Sequence, residues 1–269
     1  MVSNSEITGS TRLIGMIGDP IKQVRTPTTI NAIFTSRGVD IKCVPLQVPA
    51  TDLETVWAGL VATPNLIGFG ITLPHKQKAV ELCDSLDPVA ERVGAVNVVR
   101  RELDGSFRGY QFDGKGFVRG LSANGIRYEN RDVLMIGAGG AAVAIAFALA
   151  DANVSSITIA NRTPDKADAL ADIINTAFGR KIARAGAAEP KVQQLVINAT
   201  SLGLNQTDAL PLDTKLLLPG MTIAEVIAQP ETTQLLSIAK TLGVETHSGI
   251  HMIKGQVGLI ADHFCELWS

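Results

Sequence analysis

Val133-Leu134-Met135-Ile136-Gly137-Ala138-Gly139-Gly140-Ala141-Ala142 decides the fold of this 269-residue chain. Four apolar residues run into clustered glycines, and a small-residue, helix-forming stretch to Ala150 follows at once. A strand that turns sharply into a helix offers backbone N–H groups and the positive end of the helix dipole to a phosphate. Gly137 suits the tight turn and Gly139 lets the backbone approach a pyrophosphate. Ala142 stands where a small residue permits close helix–strand packing. Together with Ala138, Gly140 and Ala141, these residues read as a dinucleotide site; the alternative is a glycine-rich turn inside an ordinary βαβ unit.

The next strand, Ser155 to Ala160, ends in Asn161-Arg162-Thr163, with Lys166 one helical turn further on. A carboxylate here accepts hydrogen bonds from ribose hydroxyls and repels a 2′-phosphate, whereas a guanidinium binds that phosphate bidentately. Asn161 and Arg162 therefore favour NADP over NAD. Thr163 also reads as an N-cap, with Pro164 at the first helical position.

Composition narrows the class. The hydrophobic share is 46% with only 4% aromatic, which fits an α/β enzyme interior built from Val, Ile, Leu and Ala. A net charge of −2 gives no footprint for nucleic acid or an anionic membrane. No apolar run approaches the roughly 18 residues of a membrane span, and Met1 to Ser10 lacks the apolar centre of a signal peptide. Cys43, Cys83 and Cys265 are far apart, forming neither a metal-ligand pair nor a disulfide framework, so reduced thiols in the cytoplasm and no metal are expected.

Strand-like and helix-like segments alternate along the chain. Arg12 to Ile17, Ile41 to Val48 and Leu66 to Thr72 read as strands; Thr28 to Ser36, Asp52 to Val61 and Lys76 to Cys83 read as helices. That rhythm predicts a first, parallel α/β unit. Asn97 to Leu103 and Phe107 to Gln111 flank Asp104-Gly105, a hairpin signal, and a helix over Gly116 to Ala123 follows. From about Asp132 the nucleotide unit begins, with further strands at Gln194 to Asn198 and Met221 to Val226. Its helix Pro164 to Phe178 buries Ala167, Leu170 and Ile174. Ile253, Val257, Ile260 and Phe264 mark a closing helix that has to pack somewhere; a return to the first lobe would tie the two lobes together with a cleft between them.

Two charged residues sit where strands end. Lys76 follows Ile71-Thr72-Leu73-Pro74-His75, and Asp113 follows Tyr110-Gln111-Phe112. Ligands of open α/β sheets lie at the carboxyl ends of strands. A lysine and an aspartate converging there can hold a substrate hydroxyl and exchange its proton during hydride transfer; separately, each is commonly a solvated surface charge. Asn97 can orient a hydroxyl, or serve as a turn residue.

Gly18-Asp19-Pro20-Ile21, Leu73-Pro74-His75-Lys76, Gly94-Ala95-Val96-Asn97, Phe112-Asp113-Gly114, Gly137-Ala138-Gly139-Gly140-Ala141, Asn161-Arg162-Thr163, Asn198-Ala199-Thr200-Ser201 and Gln256 occur in this order. The chain thereby resembles the shikimate/quinate dehydrogenase family over nearly its whole length. The resemblance implies a two-lobed α/β fold. Residues 1–105 would form a substrate-binding and catalytic domain with a mostly parallel sheet, and 106–242 a Rossmann-type NADP domain. C-terminal helices in 243–269 would pack on the first domain. It implies Lys76 and Asp113 as the catalytic pair, Asn97 and Gln256 at substrate hydroxyls, and Asn198, Thr200 and Ser201 along the cofactor. The implied activity is an NADP-dependent oxidoreductase of aromatic amino acid biosynthesis, cytoplasmic, monomeric or homodimeric, acting on a small molecule.

Departures concentrate in the substrate shell. The family typically has a Ser-x-Ser pair that grips the substrate carboxylate; here the loop is Gln23-Val24-Arg25-Thr26-Pro27. Val24 cannot donate a hydrogen bond, Thr26 can, and Arg25 adds a positive charge between them. Gly70-Ile71-Thr72 keeps the threonine and loses an amide. Gln111-Phe112-Asp113 replaces Asn-Thr-Asp, Val98 follows Asn97, Ile227-Ala228 stand where a tyrosine is expected, and His251 replaces a common glycine. The expected substrate is thus shikimate or a close analogue, with shikimate itself turned over weakly. Two alternatives stand beside it: a dehydrogenase for an aminated shikimate-like ring, recognised through His75, His251 and Lys254, and a non-catalytic regulator sensing NADP or a metabolite.

Overall fold

The computed structural model describes residues 6–22 and 24–268; Met1 to Ser5, Gln23 of the altered loop, and Ser269 lie outside the described residues. The chain divides into two units, Met1–Phe112 with Val257–Ser269, and Asp113–Gln256.

In the first unit the order is β1 (Arg12–Gly18), α1 (Thr26–Ser36), β2 (Ile41–Gln47), α2 (Leu53–Val61), β3 (Leu66–Ile71), α3 (Lys78–Leu82), β4 (Ser85–Leu86), α4 (Pro88–Val93), β5 (Val98–Arg101) and β6 (Phe107–Tyr110). Among the described residues these strands form one sheet in the order β2-β1-β3-β5-β6-β4. The sheet is mixed rather than parallel throughout. β1 pairs in parallel with β2 and β3, whereas β5 runs antiparallel to β3 and β6. The β5–β6 pair is antiparallel because the connection around Asp104-Gly105, where Gly105 has φ +89, is short; parallel neighbours need a crossover of a dozen residues or more. Ile17, Trp57, Phe69, Ile71, Val99 and Phe107 form the core on one face. Lys76, expected at the head of a helix, lies on the turn before α3.

The second unit contains α5 (Asp113–Ala123), β7 (Asp132–Ile136), α6 (Gly140–Asp151), β8 (Ser156–Ala160), α7 (Pro164–Phe178), β9 (Ala183–Ala185), β10 (Leu195–Asn198), β11 (Thr222–Glu225), α8 (Gln234–Thr241) and β12 (Glu245–His247). Its sheet, ordered β12-β11-β10-β7-β8-β9, is parallel at every pairing. β7, β8 and β10 are apolar and buried along nearly their full length, as strands covered on both faces must be. α7 is bounded by Thr163 and Pro164 at its start and by Gly179, at φ +62, at its end; Ala167, Leu170 and Ile174 are buried as expected. The last helix, α9 (Ile250–Trp268), begins in the second unit and continues in the first from Val257.

These limits differ from the expected 105/106 and 242/243. β6 is paired with β5 from Val98↔Tyr110 to Arg101↔Phe107, so the chain stays with the first sheet to Phe112. β12 extends the second sheet, and a Cβ at Gly116 of α5 would lie 2.5 Å from Gln256 Cβ, so the opening turns of α9 belong with α5. Residues 243–269 are thus a strand and one helix, not helices alone. Within the first unit Arg100 secures the rest of α9. Its Nη1 donates to the His263 carbonyl at 2.7 Å, its Nε to Glu102 Oε1 at 3.0 Å, and Trp268 Nε1 donates to the Arg101 carbonyl.

Candidate active site

In the second unit, neighbouring strands β7 and β10 lead away in opposite directions along the sheet, and the loops at their carboxyl ends define a crevice. Gly137 has φ +117, and a Cβ there would lie 2.9 Å from the Ala199 carbonyl oxygen and 3.2 Å from Thr200 Cγ2. A side chain is excluded by both backbone conformation and space. Gly139 is different. It is the N-cap of α6 at φ −87, and a Cβ there would meet nothing within 4 Å. Bare backbone faces open space at the start of a helix whose first turn carries no acidic residue, the arrangement an anion needs. Ala138, Gly140 and Ala141 are half-buried around it, and Ala142 is buried against the strand.

β8 delivers the second half of this site. The Gly137 N–H donates to the Ala160 carbonyl at 2.7 Å, which sets Asn161-Arg162-Thr163 beside the glycine turn. Asn161 Nδ2 donates to the Thr163 carbonyl, while Arg162, Thr163 and Lys166 are exposed. The Thr163 hydroxyl makes no capping bond. Two cations beside an anion-ready turn, with no carboxylate at the strand end, fit a cofactor carrying a 2′-phosphate.

Asn198 and Thr200 are tied into the loop that follows β10. Asn198 is wholly buried. Its Nδ2 donates to the Leu202 carbonyl at 2.9 Å and to Glu225 Oε1 at 3.0 Å; its Oδ1 accepts from Thr200 N at 3.1 Å and Thr200 Oγ1 at 2.6 Å. Thr200 Oγ1 in turn accepts from Leu202 N. Both side chains are engaged in shaping the loop, and of this trio Ser201 is the exposed one. Glu225 was not legible as a site residue; its one signal is a carboxylate inside an otherwise apolar strand.

In the first unit, the loops after β1 and β3 lie against one another. Thr72 N donates to the Ile17 carbonyl and Asp19 N to the Leu73 carbonyl, and a Cβ at Gly18 would sit 2.4 Å from Thr72 Cγ2. Thr26, Thr72 and Lys76 are half-buried at this carboxyl edge; Val24 is half-buried and Arg25, the N-cap of α1, is exposed. The Lys76 carbonyl accepts from Val96 N, which holds the turn against the segment leading to Asn97. Asn97 is buried, and its Oδ1 accepts from Phe112 N at 2.8 Å. The lost amide of Gly70 has a structural counterpart that sequence could not reveal: a Cβ at Gly70 would meet Met16 Sδ at 2.4 Å. Phe112 joins an aromatic group with Tyr110 and His263.

Asp113 opens α5 and is 1% exposed; Gln256 on α9 is 8% exposed. The two histidines among the extra polar groups have partners of their own. His75 is buried with Nε2 2.8 Å from the Val48 carbonyl, and His251 bonds Asn124 and stacks on His247 at 4.7 Å. Lys254 is exposed. Burial holds the His247 imidazole down to about 4. Of the cysteines, Cys43 is buried and its thiol is pushed up to about 12, while Cys83 and Cys265 are half-buried. Among the described residues no helix is long and apolar enough to cross a membrane.

Comparison with known proteins matches this layout. The model of the shikimate dehydrogenase substrate binding domain matches residues 16–99, and that of shikimate / quinate 5-dehydrogenase matches residues 121–201. An NADP(+) shikimate dehydrogenase of Rubrobacter xylanophilus is 38% identical over 94% of this chain and 90% of its own. A crystal structure of shikimate dehydrogenase in complex with NADP+ superposes with a TM-score of 0.91 at 32% identity, over 98% of this chain and 93% of its own. The ligand-free 5-ketofructose reductase of Gluconobacter sp. strain CHM43 superposes with a TM-score of 0.83, also at 32% identity, over 96% and 92%. The chain belongs to the shikimate/quinate dehydrogenase family.

Proposed function

We propose that this protein is an NADP-dependent oxidoreductase that interconverts a secondary alcohol on a ring and its ketone, with shikimate and 3-dehydroshikimate or a close analogue as the pair. The observation that carries the cofactor is the turn in which Gly137 is closed to any side chain and Gly139 faces open space, with Arg162 exposed at the adjacent strand end. NADP, when bound, supplies the hydride acceptor. The backbone from Gly137 to Ala141 holds the pyrophosphate, and Arg162 with Lys166 and Thr163 holds the 2′-phosphate. Lys76 polarises the reacting oxygen and, paired with Asp113, moves its proton. Asn97, Thr72, Thr26 and Gln256 bind substrate hydroxyls, and Arg25 stands at the rim. Residues up to Phe112, with those from Val257, serve as the substrate domain and Asp113–Gln256 as the cofactor domain; the protein works in the cytoplasm as a monomer or homodimer. Initial rates of NADPH formation with shikimate, quinate and uncharged ring polyols, each with NADP and with NAD, test this assignment.

A second substrate class is favoured by one specific observation. Met16 Sδ occupies the space beside Gly70, and Val24 carries no donor, so this edge has one hydroxyl and one amide fewer for a carboxylate than the family pattern, while Thr26, Thr72 and Asn97 remain for hydroxyl groups. An uncharged keto-polyol fits that edge, and the structural neighbour named as a 5-ketofructose reductase acts on such a molecule. Of the groups behind the aminated-ring alternative, Lys254 is exposed, while His75 bonds the Val48 carbonyl and His251 bonds Asn124.

A further inference from the structure

Glu225 is a buried carboxylate with no place in the chemistry above. It is the last residue of β11, wholly buried, and directly beside Asn198 in the parallel register. Burial pushes its carboxyl up from the usual range, so an ionised group here is sustained only by its partners. Oε1 accepts from Asn198 Nδ2 at 3.0 Å and Oε2 from Thr233 Oγ1 at 2.7 Å. A carboxylate can only accept, so it forces the NH2 edge of Asn198 to face it. The Asn198 oxygen must then face the other way, where it receives both the N–H and the hydroxyl of Thr200. The second Asn198 N–H closes the loop on the Leu202 carbonyl. Thr200 Cγ2 and the Ala199 carbonyl are the groups that wall in Gly137.

We propose that Glu225 is a positioning residue for the cofactor: by fixing the orientation of the Asn198 amide it sets the 198–203 loop against the Gly137 turn. The proposal rests on the reading that this turn binds NADP. Thr233 extends the same constraint to the start of α8, since its hydroxyl donates to Glu225 while accepting from Leu236 N at 3.2 Å. The chain Glu225, Asn198, Thr200, Gly137 thus runs from the buried carboxylate to the glycine turn.

The test uses Glu225→Gln, which keeps shape and removes the acceptor-only character. The new amide can donate to the Asn198 oxygen and turn the Asn198 side chain over, setting N–H against N–H at Thr200. Expected is an NADP Kd about tenfold higher, faster hydrogen exchange at the Thr200 and Leu202 amides, and a melting temperature close to that of the unmutated protein. The double variant Asn198→Asp with Glu225→Gln reverses the donor and acceptor and keeps an oxygen facing Thr200, while losing the donation to the Leu202 carbonyl; it recovers the protection of the Thr200 amide and part of the NADP affinity. Unchanged amide exchange at Thr200 and Leu202 in Glu225→Gln overturns the proposal. So does an affinity loss that the double variant leaves uncorrected and that only tracks a fall in melting temperature. Failure of the unmutated protein to bind NADP overturns the cofactor reading instead, and the exchange experiment then still decides whether Glu225 positions the loop.

Discussion

Gly137 and Gly139 lie two residues apart in the same turn, yet alanine should act on them in opposite ways. At Gly137 an L-residue at φ +117 costs about 1–3 kcal/mol of backbone strain. Its Cβ would press on the Ala199 backbone, with the carbonyl oxygen at 2.9 Å and the carbonyl carbon at 3.1 Å, adding about 1–3 kcal/mol of overpacking. Gly137→Ala should therefore destabilise the cofactor-free protein by roughly 2–6 kcal/mol. At Gly139, φ is −87 and no atom lies within 4 Å of a new Cβ. The only cost there is a poorer N-cap, at most about 1 kcal/mol, or about 2–4 °C in melting temperature for a domain of this size. The new methyl nevertheless stands where a pyrophosphate must approach the backbone. Gly139→Ala should weaken NADP binding at least about tenfold, equivalent to ~1.4 kcal/mol. Calorimetric titration with NADP and thermal melts of both variants in the absence of ligand separate the two effects. A Gly139→Ala protein that binds NADP as tightly as the unmutated one refutes the anion-site reasoning. A Gly137→Ala protein with unchanged melting refutes the packing reasoning.

Three further outcomes follow from other parts of the molecule. Arg162→Ala should reduce the preference for NADP over NAD by about 1.5–3 kcal/mol, the scale of a charge-assisted contact, measured as the ratio of kcat/KM values; equal efficiency with both cofactors before mutation contradicts it. His247 is 1% exposed, its Nε2 has no hydrogen-bond partner, and its folded-state pKa of about 4 lies below the ordinary 6.5. The neutral ring is favoured in the folded state, so stability is unaffected above pH 6.5 and falls as pH drops to 4, by roughly 3 kcal/mol in total. His247→Leu should flatten that fall in urea titrations run across this range; an unchanged pH slope counts against it. Val24→Ser with Thr26→Ser should lower KM for shikimate at nearly constant kcat, the sign of uniform binding energy, whereas no response means that Met16 beside Gly70 has already reshaped the edge.

What was legible in the sequence was local. The Val133–Ala142 run specifies its own strand, turn and helix, because glycine placement and apolar patterning act over a few residues. α7 matches expectation from Pro164 to Phe178 because Thr163, Pro164 and Gly179 mark both ends. The same marks frame α4, where Asp87 Oδ1 accepts from Ala90 N, Pro88 opens the helix and Gly94 closes it at φ +64. The short strands β4, β9 and β12 carry two or three residues each, too few to show a period. The placement of Lys76 on a turn rather than in α3 depends on the Val96 N–H reaching back to its carbonyl, a contact twenty residues away. Met16 filling the space beside Gly70, Glu225 orienting Asn198, the buried His75 and the pairing of His251 with Asn124 depend on strand register and packing, which spacing along the chain does not encode.

The central claim is that Lys76 drives hydride exchange between a ring alcohol and NADP. The most direct measurement is kcat for the unmutated protein and for Lys76→Ala on the best substrate of a cyclic polyol and hydroxy-acid panel, with NADP Kd measured on the same preparations. Expected is NADPH formation by the unmutated protein, a fall in kcat of at least about a hundredfold on removing the lysine, and an unchanged NADP Kd. NADP binding without turnover of any panel member points to a sensor rather than an enzyme, and full turnover by a folded Lys76→Ala protein removes the lysine from the mechanism; both contradict the claim.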